Sequence, residues 1–236
     1  MHRSNFTLEG FVASVPVRDL APIAAEGRVP LLFDFGSGLM LDLSPWGLTG
    51  EPTARDAVRA GASLVMMSGD KLMGGPQAGI IVGRAELIGA LRRNPLARAL
   101  RVDKLTLAAL EATLVLYRDP ARAVAGIPAL AMLTTPAAEI IARAGRVAAA
   151  LRSRGLDATV TPTEATVGGG AFPASRIPSA AVAIRSQSAE EMASRLRAAP
   201  VPVVGRIADG FLLLDLRGVA PEHDDALMAL VGGALA

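Results

Sequence analysis

The chain contains no cysteine, which excludes disulfides, thiolate catalysis and cysteine-ligated metal sites. Aromatic residues make up only 3% of its 236 positions, so a core has to be built from Ala, Val, Leu and Ile. Lysine is scarcer still. The basic residues number 24, yet only Lys71 and Lys104 are lysines and the rest are arginines. No apolar run approaches roughly 18 residues, so no membrane span is expected. The segment 1–5 leads into no apolar signal core. His2 and His223 stand at opposite ends of the chain with no metal-ligand spacing, and no metal role is assigned to them. Net charge is only +2 although the pI is about 9.6, so non-specific binding of nucleic acid by the whole surface is not implied. What is present is apolar: 51% hydrophobic against 19% charged residues, a balance that favours a packed core over disorder.

The scarcity of lysine draws attention to the stretch 65–83. An apolar run ends at Ser68, Lys71 follows three residues later, and a glycine-rich turn leads into a second apolar run. This reads as strand, tight loop, strand, with one amine on a loop that a ligand can approach closely. An amine can form a Schiff base and a guanidinium cannot. Lys71 is therefore either a lysine that holds an aldehyde cofactor, pyridoxal phosphate, or an exposed loop lysine.

The run Ser68-Gly69-Asp70-Lys71-Leu72-Met73-Gly74-Gly75-Pro76-Gln77-Ala78-Gly79 closely resembles the cofactor-lysine motif of the bacterial selenocysteine synthases, the L-seryl-tRNA(Sec) selenium transferases. Residues 95–104 and their continuation to 114 resemble a second motif of that family, and Asp34-Phe35-Gly36-Ser37-Gly38 is similar to a third. The resemblance implies an α/β fold, an incomplete fold-type-I pyridoxal-phosphate-dependent transferase. A partial large-domain sheet would occupy 1–134 and a C-terminal α+β small domain 135–236. It covers only about the C-terminal half of such a protein. The chain is therefore expected to be a C-terminal portion, from a truncated or split gene or one needing a complementing chain.

The same resemblance implies roles for particular residues. Lys71 carries pyridoxal 5′-phosphate, Ser68 donates to its phosphate, and Asp34 pairs with its pyridine nitrogen. Asn5 contacts its phenolic oxygen, and Arg98 and Arg101 hold the anionic selenium donor, selenophosphate. Asp70 either orients the seryl group or a proton relay, or caps the turn. The residues alone leave plainer alternatives open: a capping aspartate at 34, a turn asparagine at 5, and a solvated basic helix face at 98 and 101. Arg98 and Arg101, three apart, would share a face if both lie on one helix.

Around these motifs the pattern predicts helices over 17–26, 53–60, 84–93, 106–117, 135–154, 188–198 and from 221. It predicts strands over 29–35, 63–67, 78–82, 158–161, 180–184, 203–207 and 211–216, with an Asp-Gly hairpin turn at 209–210. The first strand reads as buried on both faces. Trp46, in a Gly- and Pro-rich loop over 39–51, reads as a lid or, in preference, as the plug of the loop; Asp119-Pro120 and Ile127-Pro128 punctuate a connector, and Gly168-Gly169-Gly170 gives only a weak phosphate-loop signal.

By resemblance the function is conversion of seryl-tRNA(Sec) to selenocysteinyl-tRNA(Sec) with selenophosphate, in a cytoplasmic homo-oligomer or with a complementing N-terminal chain. The chain alone is expected to bind the cofactor poorly and to be inactive. Two alternatives belong to other classes. One is a fold-type-I lyase acting on a free amino acid or amino sugar acid; the other is a non-catalytic relic or oligomerisation module.

Overall fold

A computed structural model describes residues 10–11, 13–168, 170–173, 175–186 and 188–233. The chain forms two compact units, one of 1–131 with 167–175 and one of 132–166 with 176–236.

The first unit is built on a three-stranded sheet in the order β1 (Leu32–Gly36), β2 (Leu64–Ser68), β3 (Gly79–Gly83). β1 and β2 are parallel, and β3 returns antiparallel to β2. The alternation of side chains across a strand separates two faces. Phe35, Val65 and Met67 point to one face and are buried, while the Asp34–Met66–Ile81 row on the other has Asp34 and Ile81 exposed. β1 is thus not buried on both faces as its apolar run predicts. Leu32 is 52% exposed on the same side as Asp34, although its β2 partner Leu64 is 6% exposed, so among the described residues that face is covered along β2 and open along β1.

Helix α1 (Val17–Glu26) precedes the sheet, and α2 (Ala54–Arg59) links β1 to β2. α2 begins just after Thr53, the first residue of the predicted helix, which serves as its cap. The Asp56 amide donates to Thr53 Oγ1 at 3.1 Å, and the Asp56 carboxylate accepts from the Thr53 amide at 3.3 Å, a reciprocal pair that satisfies two end donors. In the loop between β1 and α2, Leu39, Leu43 and Leu48 are the plug; Trp46 is 42% exposed. After β3 come α3 (Ala85–Arg93), α4 (Pro95–Ala99), α5 (Lys104–Leu116) and α6 (Pro120–Gly126). α5 begins two residues before its predicted start because Asp103 caps it, accepting from the Thr106 amide at 2.9 Å. The expected connector is instead α6 and α7 (Pro128–Thr134), each opened by a proline whose missing N–H costs nothing in a first turn.

The second unit packs α8 (Ala137–Ser153), α9 (Ala189–Arg197) and α10 (Asp224–Gly233) with a four-stranded antiparallel sheet. Its strands are β4 (Ala158–Ala165), β5 (Ile177–Arg185), β6 (Arg206–Ala208) and β7 (Phe211–Asp215), in the order β4-β5-β7-β6. Leu151, Val182, Ile184, Leu196 and Leu212 meet in its core with no exposure. Asp209 and Gly210 both adopt positive φ, 52° and 76°, which is the two-residue turn an Asp-Gly pair favours between right-twisted strands. β6 starts later than the apolar run at 203 predicts, because the Val203 amide bonds back to Leu196 O in the last turn of α9. Arg143 is 7% exposed and fully engaged. Nε and Nη2 donate to the Asp224 carboxylate at 3.1 and 2.6 Å, Nη1 to Leu216 O at 3.2 Å, and Nη2 also to Val219 O at 3.0 Å.

Candidate functional site

The loop between β2 and β3 carries Lys71, and its backbone is held at several points. The Gly69 amide donates to Ala78 O at 2.9 Å and the Gly75 amide to Gly69 O at 2.8 Å, closing the loop at its neck. The Leu72 amide donates to Ser37 O at 3.0 Å, which ties the loop to the turn that ends β1. That turn is tight: the Ser37 amide reaches Phe35 O at 2.7 Å across Gly36, whose φ is +67°. Gly38 has φ +70°, and a Cβ there would stand 2.3 Å from Ser68 O, so only glycine allows the turn to lie against the end of β2.

A third anchor arrives from α5. The Tyr117 hydroxyl, one residue beyond the helix, donates toward Met73 O at 2.9 Å and Leu72 O at 3.3 Å. Burial pushes the Tyr117 phenol up to about 12 by penalising its charged form. With Leu72 and Met73 packed inside, the loop is fixed on its inner side, and Asp70 and Lys71 are left exposed on the other.

The sequence-predicted residues fall into three groups. Lys71, Asp70 and Ser68 share the β2 end and its loop, and Asp34 lies on the neighbouring strand, in register with Met66. Among the described residues, neither Lys71 nor Asp34 is in an ion pair. Arg98 and Arg101 are both exposed but do not share a helix face. Arg98 lies in α4, which ends at Ala99, and Arg101 follows in the extended link to the Asp103 cap. The reason is local: Pro95 starts a separate short helix, and Asp103 starts the next. Asn5 lies outside the described residues.

Three features were missed from sequence. Ser37 is fully buried and its Oγ has no hydrogen-bond partner among the described residues, an orphaned hydroxyl at the foot of the lysine loop. Tyr117 carried a signal in being the only tyrosine, but nothing in its spacing linked it to residue 72. The third is Gly170. The segment 167–175 belongs to the first unit, and Gly170 lies against the Lys71 side chain.

The family model for SelA, L-seryl-tRNA selenium transferase, matches residues 1–220. The chain belongs to that family. Among the selenium transferases it is similar to the L-seryl-tRNA(Sec) selenium transferase of Methylocella silvestris, 49% identical over all of this chain and 52% of the relative. It is similar also to that of Geobacter metallireducens, 50% identical over 95% of this chain and 49% of the relative. The chain thus spans about half the length of the curated relatives it matches. Of solved structures, it resembles D-glucosaminate-6-phosphate ammonia-lyase with a TM-score of 0.54 at 20% identity, over 94% of this chain and 52% of that one. That likeness is one of fold: like the family match, it fits the expected α/β, partial fold-type-I architecture.

The site's own chemistry fits an aldehyde cofactor. A primary amine stands on a loop held by backbone hydrogen bonds, a carboxylate stands on the adjacent strand, neither in an ion pair among the described residues, and a hydroxyl closes β2. Neither a metal ligand set nor a thiol is needed to explain this grouping.

Proposed function

We propose that this chain carries the cofactor lysine of a selenium transferase, with Lys71 the covalent anchor of pyridoxal 5′-phosphate through Nζ. The observation that carries the reading is an amine in no ion pair among the described residues, on a loop pinned from Ser37, Ala78 and Tyr117 and beside the strand that bears Asp34. When bound, the cofactor supplies an electron sink for negative charge developed at the substrate's α-carbon. Asp34 keeps a proton on the pyridine nitrogen, Ser68 donates its hydroxyl to the cofactor phosphate, and Asn5 bonds the phenolic oxygen. The Lys71 amine takes the α-proton as general base. Asp70, next to it, orients the seryl hydroxyl or passes the proton on.

Arg98 and Arg101 bind selenophosphate as two separate guanidinium forks approaching from different backbone segments. The substrate is seryl-tRNA(Sec), as the relatives' name supports, in preference to a free amino acid or amino sugar acid; turnover of charged tRNA against free serine separates them. The unit of 1–131 with 167–175 takes the role of the large-domain part expected over 1–134, and the unit of 132–166 with 176–236 that of the small domain expected over 135–236. In the cell the chain works in the cytoplasm, buried against further copies or a complementing N-terminal chain. The surface supports that need. Leu96, Leu100 and Leu105 are 65, 78 and 83% exposed along α4 and α5, and α5 has no buried residue.

The test uses the whole chain with pyridoxal phosphate, borohydride reduction and peptide mapping. Weak loading is expected, with the pyridoxyl group on Lys71 in preference to Lys104, and loading lost in Lys71→Arg. Equal labelling of the two lysines overturns the reading.

A further inference from the structure

The segment after β4 is glycine-rich, and its position beside the lysine loop gives it a use. Gly168 and Gly170 adopt φ of +85° and +114°, conformations that side-chain-bearing residues rarely reach. Phe172, at φ +49°, is 4% exposed and Ala171 1% exposed, so the segment is seated by its own buried side chains. Gly170 itself is buried. A Cβ built on it would stand 3.1 Å from Lys71 Cδ and 3.7 Å from both Cγ and Cε. A Cβ on Gly168 would meet nothing within 4 Å. Two glycines of one segment share the backbone demand, but only one of them faces the lysine.

We propose that the segment around Gly170 is a wall for the aliphatic stem of Lys71, and that Gly170 is a positioning residue that aims the amine by leaving room for the stem beside it. Three consecutive methylenes lie along this one backbone position. Stem packing of this kind removes rotamers from a long side chain while leaving the charged head free. The Lys71 loop fixes where the lysine's backbone is; the Gly170 wall fixes the path of its side chain. An added methyl forces the stem aside by a few tenths of an ångström, since the tip of a flexible chain yields before backbone does. The inference rests on the reading of Lys71 as the reactive amine for its purpose, though not for its geometry.

The experiment compares Gly170→Ala with Gly168→Ala in the full chain without cofactor. Formaldehyde and cyanoborohydride label the two lysines, and mass spectrometry gives the Lys71:Lys104 ratio, with exposed Lys104 as internal reference. Gly168→Ala carries the backbone strain without the contact and is expected to leave the ratio within about 1.5-fold of the parent. Gly170→Ala is expected to lower it by about threefold or more, because the methyl lies over the stem and redirects the amine. A double-mutant cycle supplies the second measurement. Gly170→Ala should lower the equilibrium preference for the folded state about threefold more in the parent than in Lys71→Ala, where the methylenes it would meet are gone. If Gly170→Ala alone fails to fold, Gly170→Ala with Lys71→Ala should fold. An unchanged ratio, a cycle that closes without coupling, or a double variant that stays unfolded overturns the wall. None of these results bears on the pyridoxal reading, which stands or falls on the borohydride map.

Discussion

Tyr117 is the only tyrosine in the chain, so a single phenol reports on the anchor of the lysine loop. In the folded chain it titrates near 12 instead of 10 because burial disfavours the phenolate. Its hydroxyl also donates to two carbonyls of the loop, which only the neutral form can do. Between pH 10 and 12 the folded chain therefore holds a proton that the unfolded chain has released. Stability then falls as pH rises through that window, and is fully present below pH 10. A shift of that size corresponds to roughly 2.7 kcal/mol at full value. The ring is only partly buried, and solvent screening reduces the contribution to about 1 kcal/mol. Absorbance at 295 nm during an alkaline titration reads the phenol directly, with the same titration in urea as the unfolded reference. Tyr117→Phe should remove the absorbance step, lower stability at pH 8 by about 1 kcal/mol for the lost bond, and flatten the pH dependence between 10 and 12. A folded-state midpoint near 10, equal to that in urea, would refute the argument that this phenol is held inside against Leu72 and Met73.

Other substitutions test the frame around it. Gly38→Ala places a methyl on Ser68 O at a positive φ and should cost about 2–3 kcal/mol in urea melts, with weaker pyridoxal loading; a neutral effect would mean the turn does not abut β2. Arg143→Ala strands the Asp224 carboxylate and two carbonyls, and should cost about 3–5 kcal/mol. Arg143→Leu combined with Asp224→Leu should recover most of that, read by denaturant midpoints. Asp34→Asn should leave the unfolding midpoint within about 0.5 kcal/mol, since Asp34 is exposed and in no ion pair among the described residues, while weakening retention of the cofactor.

Local chemistry made much of the fold legible. The α2 start at Thr53 and the Asp209-Gly210 turn each act through their own few residues, and each structure formed where its chemistry predicts. The lysine loop was legible for the same reason: apolar run, lysine, glycine turn, apolar run. What sequence hid was set by distant partners. An unbroken apolar run at 29–35 cannot say which of its faces another element will cover, and within this unit one face of β1 stays open. Spacing would put Arg98 and Arg101 on one face of a shared helix, but Pro95 opens one short helix and Asp103 caps the next, and the two arginines fall in separate segments. Tyr117 and Gly170 lie 46 and 99 positions beyond Lys71, and no periodicity connects them to it.

The Arg143–Asp224 clamp has a consequence for how the protein is made. Its two partners are 81 residues apart in the chain. At about 5–20 residues per second, the ribosome delivers the carboxylate roughly 4–16 seconds after the guanidinium. Through that interval the α8 segment has a cation with no permanent counter-ion and an apolar stripe awaiting Leu227 and Val231. The second unit can therefore close only after residue 224 has been made, and a nascent chain stalled before that point presents chaperones with α8 still uncovered.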